Sequence, residues 1–305
     1  MANPVSALLR PALIGATLAL ATVPLATACS SDDGNGGGSA GQGAAPTGGN
    51  GPDAGSGGLT TSSSSSSSAG ATGGGGSGAS GGSGGGSTVV PPLGGSSQGS
   101  GGPVPVAGSP MQAGAISYTL VVPSSLAHPA PLLVAYSGTE GVAQMTTNLV
   151  NVGPMTGTSG FIRAVLDGMT YYGDGSAGAT VLDALRGLYD VDNDRTYLLG
   201  ESAGTTAALQ LGFDLRQSYF AAYWANDVNA AGAPASSAAE LGFAPWGQVG
   251  PGGDFADAQQ IVAAMQAAGY RLPSPAPYAG TGSDTHGSPD QFIAAVSWFP
   301  GKSRQ

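Results

Sequence analysis

Two features of the sequence carry chemistry: a serine framed by glycines and a histidine far downstream of it. Gly200-Glu201-Ser202-Ala203-Gly204 reads G-x-S-x-G, and its surroundings give the pattern its meaning. Arg195-Thr-Tyr-Leu-Leu199 predicts a strand that runs into it, and the Ala- and Leu-rich stretch from Ala203 to Phe213 predicts a helix that leaves it. Such a tight strand-to-helix turn holds its serine in strained backbone. Glycines two residues to either side let strand and helix approach without a Cβ clash. The hydroxyl then lies at a helix N-terminus, where backbone N–H groups and the helix dipole favour developing negative charge. That is the setting of a nucleophile.

A serine nucleophile needs a base, normally histidine, and the chain has two, His128 and His286. His128 lies in the connection Ala127-His128-Pro129-Ala130-Pro131, a solvated loop by composition. His286 follows the serine and precedes Ser288-Pro289-Asp290-Gln291. That run reads as an N-cap serine, a proline at the first helical position and a glutamine completing a capping box. Phe292, Ala295, Val296 and Phe299 then recur at helical spacing, which puts His286 on a loop ahead of a terminal helix.

An acid must orient the imidazole. Between serine and histidine the carboxylates are Asp214, Asp227, Glu240, Asp254, Asp257 and Asp284. Ala244-Pro-Trp-Gly-Gln-Val249 predicts a late strand, Gly250 to Gly253 a loop, and Phe255 to Ala268 a helix. Asp254, on that loop, is the first choice, with Asp257, Asp227 and Asp284 as alternatives. Asp254 is equally suited to capping the helix that follows it. Oxyanion donors are expected from the N–H of Ala203 and from the loop Ser137-Gly138-Thr139-Glu140-Gly141, with Thr139 preferred over Gly138.

The elements that must position these groups alternate. Ile116–Val122, Pro131–Tyr136 and Phe161–Leu166 predict strands, and Thr180–Leu188 predicts a helix. Pro131–Tyr136 is continuously apolar, as a strand buried on both faces must be. Strands alternating with helices imply an α/β domain with a mostly parallel sheet flanked by helices, here over residues 110–305. The quoted motifs, with Val181-Leu-Asp-Ala-Leu185 and Tyr189-Asp-Val-Asp-Asn-Asp-Arg195, resemble the α/β-hydrolases. Within that superfamily they resemble the secreted esterases related to polyhydroxybutyrate depolymerases and to feruloyl and acetylxylan esterases. The resemblance implies an α/β-hydrolase fold and a triad of Ser202, His286 and Asp254. It further implies hydrolysis of a small ester or an ester-decorated polymer by a serine esterase. The sequence departs from that group at Ser137-Gly138, where His-Gly is usual. A non-catalytic surface module and a serine peptidase are the other readings.

Composition narrows the partners. The net charge is −10, charged residues make up 9% of the chain and Lys302 is its only lysine, which argues against nucleic acid. No metal cluster or phosphate-binding loop is present in the sequence, so no cofactor is implied, and the chain is expected to be a monomer.

Before residue 110 the texture is different. Arg10 precedes the apolar stretch Pro11–Ala28, the pattern of a signal peptide over residues 1–28. Ala26-Thr-Ala-Cys29 resembles a bacterial lipobox, with Cys29, the chain's single cysteine, as the acylated residue. Residues 29–109 are Gly/Ser-rich, include seven consecutive serines from Ser62 to Ser68, and are expected to be a long disordered tether. These features predict a lipid-anchored protein of the bacterial cell envelope, by the resemblance at the outer membrane, or a secreted one. The anchor would be its only membrane contact.

Overall fold

The computed structural model describes residues 90–106, 108–280 and 286–305. The expected signal peptide, Cys29, the tether as far as residue 89 and Asp284 lie outside the described residues. Among the described residues no helix is long and apolar enough to cross a membrane.

Seven strands form one mixed sheet in the order β1-β2-β4-β3-β5-β6-β7. They are β1 (Ser109–Ala113), β2 (Ile116–Val121), β3 (Ala130–Tyr136), β4 (Ile162–Leu166), β5 (Val191–Glu201), β6 (Ala222–Asn226) and β7 (Trp246–Val249). β1 and β2 run antiparallel to their neighbours, whereas β4, β3, β5, β6 and β7 are mutually parallel. The helices are α1 (Gly141–Thr156), α2 (Gly175–Leu188), α3 (Thr205–Leu209), α4 (Ala238–Leu241), α5 (Phe255–Ala267) and α6 (Pro289–Trp298). α3 runs on into a π-helical turn over Gln210–Leu215. This is the α/β-hydrolase fold that the sequence implies.

The period-two geometry of the strands divides the core. All seven residues of β3 are buried. Leu132, Val134 and Tyr136 join Val181, Leu182, Ile261 and Met265 of α2 and α5 in one cluster. Leu133 and Ala135 join Met145, Leu149, Val296 and Phe299 of the α1 and α6 side in the other. Each fully buried leucine contributes roughly 2–3 kcal/mol to holding the layers together. The terminal helix begins where the sequence places it, with Ser288 as N-cap and Pro289 in the first turn. The side chain of Gln291 does not close the expected capping box; it turns inward towards the acid described below.

The folded part starts earlier than residue 110. The arm Val90–Val106 lies along the beginning of β5: Ser96 bridges Asp192, and Ser97 N–H donates to Val191 O at 2.8 Å. Tyr189 OH donates to Pro103 O. Arg304, 3% exposed, donates to the carbonyls of Pro91, Pro92 and Ser218 and contacts Asp194 at 3.0 Å. A Gly- and Pro-rich segment is ordered here by partners remote in sequence, not by its own propensity.

Candidate active site

The parallel strands end on one side of the sheet, and the loops leaving β3, β4, β5, β6 and β7 gather there, the usual position of ligand sites in open α/β sheets. β5 delivers Ser202. The residue has φ +46°, a left-handed conformation rare outside glycine, and opens a 3-10 turn that leads into α3. Gly204 explains the second glycine of the motif. A Cβ there would stand 2.6 Å from Ser137 O and 2.7 Å from Tyr136 Cβ, so only glycine lets the elbow pack on the end of β3.

His286 meets the serine. Its Nε2 lies 3.1 Å from Ser202 Oγ, within hydrogen-bond reach, and its side chain is 43% exposed. The loop ahead of α6 therefore brings the predicted imidazole to the predicted hydroxyl.

The carboxylate behind the ring is Asp227, whose Oδ2 is 4.0 Å from His286 Nδ1. Asp254, the first choice from sequence, serves another purpose. Its Oδ1 accepts from Ala256 N–H at 2.8 Å and Asp257 N–H at 3.3 Å, capping α5, and Asp257 sits in the first turn of that helix. The correction has a structural cause. Asp227 directly follows β6, a strand next to β5 in the sheet, whereas Asp254 follows the more distant β7.

Asp227 is fully buried and held from several sides. Its φ is +51°, a conformation aspartate tolerates better than most residues. Gly287 N–H donates to Oδ2 at 2.6 Å, and Gln291 Nε2–H donates to Oδ1 at 2.9 Å. The loop after β7 closes over it: a Cβ on Gly252 would fall 2.0 Å from Asp227 Oδ1. The glycines that mark a turn in the sequence thus make room for the neighbouring strand's acid.

On the opposite side of Ser202 runs the loop after β3. Gly138 is buried, and a Cβ there would be 3.0 Å from Ser202 Cβ, so its backbone lies against Ser202. Thr139, the preferred donor from sequence, is exposed. The N–H of Gly138 donates to Glu140 Oε1 at 3.0 Å. Burial pushes the Glu140 carboxyl above the usual carboxylate range, with the charges of Asp167 and Asp227 adding to the rise, against the hydrogen bonds it accepts. Ala203 follows the serine and is buried in the 3-10 turn.

Thr205 ties the elbow to the acid loop. Its hydroxyl lies 2.7 Å from Ser202 O and 2.5 Å from Asn229 Oδ1. Neither Thr205 nor Gln291 follows from sequence reasoning, because each acts across elements that only the fold brings together.

No family model matches the sequence, and no curated protein matches it. Among solved structures the chain is similar to a thermostable esterase, at 15% identity and TM-score 0.46, over 62% of this chain and 59% of that one. It is also similar to the poly(3-hydroxybutyrate) depolymerase LpqC from Bordetella parapertussis, at 15% identity and TM-score 0.45, over 62% and 85% of the two chains. A third, Est1E from Butyrivibrio proteoclasticus, is 12% identical with TM-score 0.42, over 63% and 96%.

Proposed function

We propose that the chain is a serine esterase that hydrolyses carboxylic esters through Ser202, His286 and Asp227. The observation that carries this reading is the 3.1 Å approach of His286 Nε2 to the hydroxyl of a serine held at φ +46°. Nothing about core packing calls for a strained serine facing a histidine, whereas nucleophilic catalysis calls for both.

The chemistry follows from the positions. His286 Nε2 takes the Ser202 proton as Oγ bonds to the ester carbonyl carbon, and the carbonyl oxygen becomes an oxyanion. The N–H of Ala203 and one from the loop of Gly138 and Thr139 stabilise it. The intermediate collapses, the C–O bond to the alcohol breaks, and the imidazolium returns its proton to the departing oxygen. Water then attacks the acyl-enzyme with His286 as base again, releasing the acid and free serine. Asp227 holds the ring and stabilises its charge. Before Gly138 N–H can serve the oxyanion, the Glu140 carboxylate must release it.

The test is covalent. A fluorophosphonate probe is expected to label the wild-type protein at one serine, and Ser202→Ala to abolish labelling. The same substitution should lower turnover of a p-nitrophenyl ester by on the order of 10⁵-fold. Ester hydrolysis that survives in Ser202→Ala sinks the reading. A wild-type protein that neither labels nor turns over would be a non-catalytic module, and one that prefers aminoacyl amides a peptidase.

We also propose that Cys29 is lipidated and holds a monomeric domain at the bacterial cell envelope, where a small ester or an ester-decorated polymer would be its substrate. The small residues ahead of the cysteine and the apolar stretch before them support this. Incorporation of a fatty-acid analogue, lost in Cys29→Ser, is the expected result; labelling that persists in the variant would refute it.

A further inference from the structure

We propose that Glu201 is a positioning residue that keeps its carboxyl proton and donates it to Asp227, so that the group behind His286 is a carboxyl pair sharing one proton. The inference rests on the esterase reading for its effect on turnover, but not for its effect on stability.

The hydrogen-bond directions can be read from donors that have no alternative role. The indole N–H of Trp224 is donor-only, and it meets Asn226 Oδ1 at 3.0 Å. That fixes the Asn226 amide, whose Nδ2 must then donate to Glu201 Oε2 at 2.9 Å. Gln291 Nε2 points the same way, donating to Asn226 Oδ1 at 2.8 Å as well as to Asp227. One oxygen of Glu201 is thus an acceptor and leaves the other for Asp227, with which the carboxyl is in hydrogen-bond contact. Asp227 receives an N–H on each of its oxygens. It is therefore the acceptor of the pair, and Glu201 the donor.

The surroundings favour the same arrangement. Glu201 is 7% exposed and Asp227 fully buried. The ionisable groups facing Glu201 are Asp227 beyond β6 and Glu140 beyond β3, both acidic. His286 Nδ1 lies 4.0 Å from Asp227 Oδ2, the oxygen that accepts from Gly287. Two carboxyls in contact without a cation between them cannot both ionise. Burial accordingly raises Glu201 well above the ordinary carboxylate range, and the charges of Asp227 and Glu140 raise it further.

The sign of the pH effect follows. Glu201 binds its proton more tightly folded than unfolded, so the stabilisation is complete below its unfolded value of 4.5. It is lost progressively as the pH rises towards the folded value.

Glu201→Gln tests the idea, because a carboxamide donates to Asp227 and accepts from Asn226 with no proton to lose. Its unfolding midpoint is expected to stay level between pH 5 and 9 where that of the wild type falls, and to exceed the wild type at pH 8. The infrared carbonyl stretch of a protonated carboxylic acid should be present in the wild type at neutral pH and missing in Glu201→Gln. Glu201→Leu, which removes the donor, should lower kcat roughly tenfold or more without raising KM, and Glu201→Gln should rescue kcat. A Glu201→Gln protein that keeps the wild-type pH slope, or melts below the wild type at pH 8, overturns the proposal; so does a glutamine variant no more active than the leucine one. If Glu201→Leu fails to fold, the glutamine comparison alone decides. If the protein proves not to be an esterase, the melting and infrared measurements still stand, which separates failure of this inference from failure of the functional reading.

Discussion

Asp227→Asn is expected to lower kcat for ester hydrolysis by about 10⁴-fold, the scale seen when a serine triad loses its anionic member. The amide keeps the shape of the side chain but cannot stabilise an imidazolium. It also favours the wrong ring tautomer at His286, whose Nδ1 faces this residue. The matched variant is Asp254→Ala. It removes the N-cap of α5, which costs about 1 kcal/mol and lowers Tm by roughly 2–4 °C in a domain of this size. Its kcat is expected to stay within a few-fold of wild type. Steady-state kinetics and thermal melts on the two proteins decide the matter. The reverse pattern, with activity lost only in Asp254→Ala, would return the acid role to residue 254.

Arg304→Ala is the substitution with the largest expected effect on stability. The guanidinium is 3% exposed and satisfies the carbonyls of Pro91, Pro92 and Ser218 while facing Asp194. Its removal leaves several acceptors unpaired and one carboxylate without its counter-ion. The expected cost is on the order of 3 kcal/mol, or roughly 6–12 °C in Tm. Because two of those carbonyls belong to the arm Val90–Val106, limited proteolysis should cut within residues 90–106 before the rest of the domain unfolds. An arm that stays protected in Arg304→Ala would mean that the bonds around Ser97 and Tyr189 suffice to hold it.

These two outcomes bear on what a sequence makes legible. Ser202 and His286 were readable because their signals are local: a strand, a turn and a helix around the serine, and a helix start after the histidine. The acid was not. Asp254 stands in a loop followed by a helix, and that local grammar predicts the cap it makes, but nothing local to it says which carboxylate the fold brings to His286. Asp227 follows Phe220–Ala225, an uninterrupted apolar run that ends in Asn226-Asp227. That run is β6, and it sets an acid at the end of the strand beside the one that leads into Ser202. The run's three alanines and its lack of β-branched residues weaken the strand signal that Phe220, Tyr223 and Trp224 carry. α1 carries little helical signal in the sequence for a related reason. Its sequence is rich in threonine, asparagine and glycine and contains Pro154, so its stability comes from burying Met145, Leu149 and Val152, not from propensity. The arm reads as tether in the sequence because nothing within it shows that Arg304, some two hundred residues later, awaits its carbonyls.

The placement of that arm also decides where the upstream chain joins the domain. Ser96 is paired to Asp192 near the start of β5, and Ser202 follows the last residue of the same strand. A register shift at the start of β5 sets Val191 opposite Ala130 and Gly200 opposite Tyr136, so at about 3.3 Å per residue these points are roughly 20–25 Å apart. The arm and the serine therefore lie at opposite ends of β5. On the proposal that Cys29 is anchored, the upstream chain joins the domain at the end of β5 remote from Ser202.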